Sequence, residues 1–316
     1  MRRIIQSTIL CTTLPFLVVA VTAEAAIPQT ERDALIAIYD STGGPGWFDR
    51  TNWMGAPGSE CTWFGVTCSA GDAHVVEISL LGNNLVGTIP PEIGDLTQLE
   101  SLVLAANGLT GTIPAEIGSL PALWRLGLGG NQLFGGIPVE LGSLANLQIL
   151  RLGSNQLSGA IPPSLGSLSN LVRFDAFDNR LTGEIPIELG GLTSLEQVRL
   201  WGNGLSGEIS AAFASLPGLT VVDLADNDLS GPIPAEFGSC ANLNLLNLSS
   251  NELTGGIPPE LGSIPNLGHL DLAHNNLSGA IPPELGNLAN LGFLNLGVNR
   301  LTGAIPPELG NLAMLS

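Results

Sequence analysis

The sequence contains no lysine. Its 10 basic residues are all arginine, set against 28 acidic ones, for a formal charge of −18 over 316 residues. A chain so poor in cations has little with which to neutralise phosphates, which excludes nucleic acid as a partner. The same charge opposes docking on anionic membranes and describes a soluble, self-repelling surface. Histidine occurs 3 times and cysteine 4 times. No Ser/His/Asp set, phosphate-cradling loop or nucleophilic cysteine can be assembled, so the chain reads as a non-enzyme, with no cofactor and no metal.

Long apolar runs are missing as well, with one exception. Arg2 and Arg3 open the chain, Ile9 to Val21 form an apolar stretch, and Ala23-Glu24-Ala25 is a small-x-small cleavage site. Residues 1–25 therefore read as a signal peptide. An uncleaved anchor is the competing reading, opposed by the shortness of the run. No second membrane segment follows, so the membrane is reached only through that anchor or through a segment beyond Ser316. Export implies an oxidising compartment, in which Cys61-Thr-Trp-Phe-Gly-Val-Thr-Cys68 suits a small disulfide-closed loop.

What the chain has in abundance is glycine (41), proline (22) and repetition. Asn83, Asn107, Asn131, Asn155, Asn179, Asn203, Asn227, Asn251, Asn275 and Asn299 follow one another at intervals of 24 residues. Around each runs L-x-x-L-x-L-x-x-N-x-L-x-G-x-I-P-x-x-L-G-x-L-x-x, almost undamaged in residues 147–170. Ten such units fill residues 75–314, and residues 315–316 begin an eleventh. A fixed period of this length marks a solenoid, in which each unit covers its neighbour's apolar side.

Each position has a physical reading. The L-x-L pair alternates in and out and is a short strand. The asparagine sits where the chain turns, and its amide can both donate to and accept from backbone groups left unpaired there. Glycine permits a bend and proline opens a short helical turn. Glu92, Glu116, Glu140, Glu188, Glu236, Glu260, Glu284 and Glu308 follow that proline as a ladder of like charges.

Residues 75–316 resemble the plant-type leucine-rich repeat family, whose hallmark is L-x-G-x-I-P. Residues 31–68, with their C-x-W-x-G-V-x-C motif, resemble that family's N-terminal cap, placed here at 26–74. The resemblance implies an α/β solenoid: a right-handed superhelix with a concave parallel β-sheet, extra short strands at L-x-G-x-I-P, and a helical cap. It also implies recognition of a protein, peptide or glycan outside the cell or at its surface, as in receptor-like kinase ectodomains. A secreted inhibitor of a cell-wall-degrading hydrolase is the alternative, resembling the polygalacturonase-inhibiting proteins. Those carry a C-terminal cysteine cap that this chain lacks. Solenoids need terminal caps, so the expectation is that the natural product continues, with a receptor among the outcomes.

Counting from the first Leu of a repeat, positions 1, 4, 6 and 11 face inward, and 3, 5, 7 and 8 face the concave side. Phe174 and Ala176 then form a volume-conserving core pair in place of two leucines, and Cys240 is a buried thiol. Position 5 runs Ser79, Val103, Gly127, Arg151, Asp175, Arg199, Asp223, Asn247, Asp271, Asn295, with four charges of alternating sign that can pair across strands. Asp175 and Asp223 lie two strands apart, loosely as in an inverting glycosidase, but Arg199 between them keeps both ionised.

Arg125 and Arg173 at position 3 lack acidic neighbours in their row. Phe177 and Trp201 stand side by side at position 7, with Trp124 near the edge and Asp178 beside them. Gly127, Gly129, Gly130, Gly153 and Gly202 leave the floor bare. Arg2 and Arg3 go with the leader, and 4 of the other 8 arginines fall on this strip. Aromatics and arginine anchor interfaces, so the expected ligand surface is Trp124, Arg125, Arg151, Arg173, Asp175, Phe177, Asp178, Arg199, Trp201 and Asp223. His269, Asp271 and His274 share one strand and its turn but lack a fourth ligand for a metal. Asn247-Leu-Ser249 and Asn276-Leu-Ser278 match the glycosylation acceptor.

Overall fold

The structure is a computed structural model and describes residues 27–315. The signal peptide read at residues 1–25 lies outside them. The helix Gln29–Ser41 opens the described chain and buries Ala34, Leu35 and Ile38. Behind it Tyr39, Trp47, Trp53 and Trp63 stack in a chain of rings 4.9–5.8 Å apart. This aromatic plug closes the first coil. Glu31 is buried in it and accepts from the Val75 backbone N–H at 2.7 Å, and Arg32 pairs with the buried Glu60. Cys61 and Cys68 are joined in a disulfide with Cα atoms 5.5 Å apart.

The cap strand Val66–Cys68 runs antiparallel to Val75–Ser79, and from that second strand the eleven-stranded main sheet is parallel through its remaining ten strands to Phe293–Asn295. Every parallel pair is held in the same register. Ile78 lies opposite Leu102, Leu126 opposite Leu150, Phe174 opposite Val198, and Leu270 opposite Leu294. These position-4 side chains line one face of the sheet and are fully buried up to Leu270. Each contributes about 2 kcal/mol by leaving water. Phe174 and Ala176 are both buried completely, as the volume argument requires, and so is Cys240. In the last coil Leu294, Leu296, Leu301 and Leu309 are only partly buried, and Ile305 is 75% exposed.

The asparagines form the expected ladder. Asn251 donates from Nδ2 to the carbonyls of Leu224, Leu248 and Ser249 and accepts at Oδ1 from the Leu229 N–H, all within 3.0–3.1 Å. Asn83, the first, bonds the backbone of Asp49 and so ties the cap to the stack. The residue just before each asparagine is left-handed, with φ of 52–68° from Gly82 and Ala106 through Asp178 and His274 to Val298.

L-x-G-x-I-P segments pair in a second, interrupted row of short parallel strands, the longest run reaching from Phe134–Gly135 to Asp228–Ser230. The proline that follows opens a five-residue 3-10 turn, such as Pro163–Ser167. In the sixth repeat Ser210 replaces that proline. Its hydroxyl accepts from the Phe213 N–H, and the turn becomes the short α-helix Ala211–Ala214. Among the described residues no helix is long and apolar enough to cross a membrane.

Candidate functional site

The strict register carries the outward positions into rows. Gly127, Arg151, Asp175, Arg199 and Asp223 lie opposite one another on five successive strands, and Arg125, Ile149, Arg173 and Gln197 form the row two residues earlier. Four arginines thus occupy one region of the concave sheet because a 24-residue period returns each to nearly the same place.

The charges do not pair as an alternating ladder. Asp175 is only 2% exposed, and it draws in three guanidinium groups. Arg173 Nε donates to Asp175 Oδ2 at 2.6 Å from within the same strand, Arg199 Nη1 reaches Oδ1 at 3.3 Å, and Arg151 Nε stands 3.7 Å from Oδ2. The predicted Arg199–Asp223 pair is absent. Asp223 instead accepts from the Ala225 N–H, and burial pushes its carboxyl above the ordinary aspartate range. Arg173, which the position-3 row left without an acid, has found one two residues along its own strand. The reason is geometric. Side chains at i and i+2 of a strand share a face, and an arginine is long enough to reach its neighbour.

The cations remain in excess. The Arg151 Nε atom is buried without a hydrogen-bond partner. Loss of water, with Arg173 beside it, holds that guanidinium below the ordinary arginine range. Among the described residues Arg125 makes no side-chain hydrogen bond or ion pair.

Phe177 and Trp201 stack nearly face to face, with ring centroids 4.9 Å apart and planes 10° off parallel, close to the spacing of the strands that carry them. Both are half-buried. The glycine floor is less bare than expected. A Cβ on Gly153 would lie 2.7 Å from Phe177 Cε1, so the ring already covers that residue. Gly130 and Gly202 serve the left-handed turn, both with φ of 68°.

In front of the stack lies a depression of about 390 Å³. Arg125, Arg151, Arg173, Asp175 and Phe177 line it together with Leu81, Val103, Ala105, Ala106 and the glycines of the floor. Arg199 and Trp201 adjoin these residues through Asp175 and Phe177. Trp124, Asp178 and Asp223 are outside the lining, and Asp178 is an exposed turn residue. Leu81, Val103, Ala105 and Ala106 were not singled out from sequence. Their placement at positions 5, 7 and 8 was the available signal.

His269, Asp271 and His274 do not converge on a point. His269 stacks on Phe293 at 4.3 Å, and Asp271 accepts from the Ala273 N–H. Among the described residues the one grouping of potential ligand atoms is Cys61, Cys68 and Asp72, whose sulfurs are in the disulfide.

Comparison with known proteins places this architecture. Family models described as leucine rich repeat match residues 190–253 and, separately, 98–120, 146–168, 266–288 and 290–312. Among solved structures, the ectodomain of the Arabidopsis thaliana receptor kinase GASSHO1/SCHENGEN3, in complex with CASPARIAN STRIP INTEGRITY FACTOR 2, is 44% identical with a TM-score of 0.80. It matches over 81% of this chain and 31% of that one. The Arabidopsis receptor kinase HAESA ectodomain, in complex with an IDA peptide hormone, is 29% identical over 92% of this chain and 53% of that one, with a TM-score of 0.68. A plant ice-binding protein is 31% identical over 89% and 90% of the two chains, with a TM-score of 0.79. The curated Arabidopsis thaliana receptor-like kinases it matches are 33% and 42% identical over 54 and 52 residues, and the matches span only 8% and 9% of their length.

Proposed function

The chain belongs to the leucine-rich repeat family, and from that premise we propose that it is an extracellular or cell-surface recognition module whose concave sheet binds a peptide or protein ligand. One observation carries the reading. In a chain of charge −18, three arginines converge on a single buried aspartate on an open, curved sheet, with a fourth, Arg125, in the same depression and a stacked pair of half-buried aromatics beside it. Arginine and aromatic side chains dominate binding energy where they sit together in a concave site. The likeness to the HAESA and GASSHO1/SCHENGEN3 ectodomains, whose structures hold a ligand, supports the same reading. The module acts by itself or as the outer part of a receptor.

The test is an array of synthetic peptides probed with the purified full chain and with its Arg173→Ala/Trp201→Ala double variant. The reading expects peptides held by the wild type and released by the variant at unchanged circular dichroism and melting temperature. Equal binding by the two proteins moves the contact off this face. A parallel glycan array separates a sugar ligand.

A further inference from the structure

The same depression has two chemically distinct halves, and the division names a ligand class. On one side stand Arg125 and Arg151. They belong to adjacent strands, with Arg125 opposite Ile149 and Arg151 opposite Gly127. They are therefore diagonal neighbours, about 7–8 Å apart at Cα. A carboxylate placed between them accepts from both guanidinium groups, each of which carries five N–H donors in a planar fork.

Neither arginine has its donors satisfied by the described residues. Among the described residues Arg125 makes no side-chain hydrogen bond, and Arg151 keeps a buried Nε without a partner. The acid already present does not fill that role. Asp175 spends its oxygens on Arg173 at 2.6 Å and Arg199 at 3.3 Å, and lies 3.7 Å from Arg151, beyond hydrogen-bond reach. Three cations on one anion, with the unpaired Arg125 beside them, leave a net positive group at the edge of an apolar cavity.

The other half is apolar. Leu81, Val103 and Phe177 line it with bare backbone between them, and Leu81 is 62% exposed, an isobutyl group held in water at the rim. A volume of about 390 Å³ lies at the small end of the range for pockets that hold one small molecule.

Building on the concave-face reading above, we infer that this depression is a pocket for a compact monocarboxylate, its carboxylate bridging Arg125 and Arg151 and its apolar body packed on Leu81, Val103 and Phe177. The chemistry is supplied either by a free small acid or by an acidic side chain next to an apolar one in a peptide. Two probe pairs separate the sources: 3-phenylpropanoate with 3-phenylpropanamide, and acetyl-Phe-Asp-Phe-amide with its Asp→Asn counterpart.

The readout is chemical-shift perturbation of the backbone amides of Gly127, Gly129 and Gly153 in the full chain, with Trp201 fluorescence as a second signal. Within at least one pair the charged member is expected to bind at least about tenfold more tightly than its neutral isostere. Arg151→Gln is expected to remove that preference, and Val103→Trp to block both members by filling the apolar half. Equal binding of charged and neutral members overturns the proposal, as does charge-selective binding unaffected by Arg151→Gln. Absence of saturable binding in both pairs overturns it too. None of these results decides whether the sheet binds larger peptides, which the array reads independently.

Discussion

Removing the amide of Asn251 tests the ladder at a place where its cost can be counted atom by atom. The side chain makes four hydrogen bonds, but three of its partners have a second donor. The Leu224 carbonyl also accepts from Asn227 Nδ2, the Leu248 carbonyl from Asn275 Nδ2, and the Ser249 carbonyl from the Asp226 N–H. The Leu229 N–H has Asn251 Oδ1 as its acceptor at 3.0 Å, and Leu229 is fully buried. Asn251→Ala therefore leaves one orphaned buried donor, which costs about 2 kcal/mol. Asn251→Asp restores the acceptor but sets an oxygen against those three carbonyls within about 3 Å. It is expected to cost about 4 kcal/mol or more at neutral pH.

The pH dependence of the second variant follows from the same geometry. A carboxyl facing carbonyls is favoured when protonated, so its folded-state pKa is raised above the unfolded one. Stability is then retained below the ordinary aspartate range and lost as pH rises through the folded value. A stack of coils opens locally, so the direct assay is hydrogen exchange at the Leu229 amide, with the thermal midpoint alongside. Asn251→Ala is expected to speed that exchange about 30-fold. Finding Asn251→Asp as stable as Asn251→Ala at pH 7 would refute the accounting.

Two further predictions follow from buried groups. Asp175→Asn leaves three arginines without their shared anion and is expected to cost about 3 kcal/mol at low salt. About 1 M NaCl, with a Debye length near 3 Å, restores much of this by screening the arginines from one another; a melting temperature indifferent to the substitution and to salt would remove Asp175 from its role. The Cys240 Sγ lies 3.0 Å and 3.4 Å from the Ala214 and Leu216 carbonyls, and burial raises its pKa. The folded chain should therefore resist thiol reagents and lose stability as pH rises past the ordinary thiol range, a loss absent from Cys240→Val; rapid labelling of the native protein would contradict this.

Those features that follow the 24-residue period were legible in the sequence. Phe174 and Ala176 had to be inside because their positions are inside in every coil, and Asn227 had to bond backbone because nine others share its place. What escaped is whatever runs across the period or hides behind varied residue types. The convergence on Asp175 depends on how far each arginine bends, and a row of alternating signs does not encode that. Phe177 leaning onto Gly153 is a contact between strands, so the glycine looked bare until its neighbour was placed. The left-handed residue before each asparagine was masked by its composition. Only three of the ten are glycine, and Ala106, Ser154 and Val298 carry no warning of a positive φ. Ser210 was readable, since a residue favoured at helix starts stands there where most coils carry proline.

That division also explains how an acidic protein can present a cationic site. Position 5 is free to vary because its side chains leave the core, so arginine at 151 and 199 costs the stack nothing in packing. The glutamates after each proline sit on the short turns, across the coil interior from the sheet. Packed layers lie about 10 Å apart, and the Debye length at physiological salt is about 8 Å. The glutamate ladder is therefore largely screened from the concave face. There the local balance is four guanidinium groups against Asp175 and, further along, Asp223, whose carboxyl burial already makes reluctant to ionise. An approaching ligand meets that local field rather than the net charge, and a negative group is what completes it.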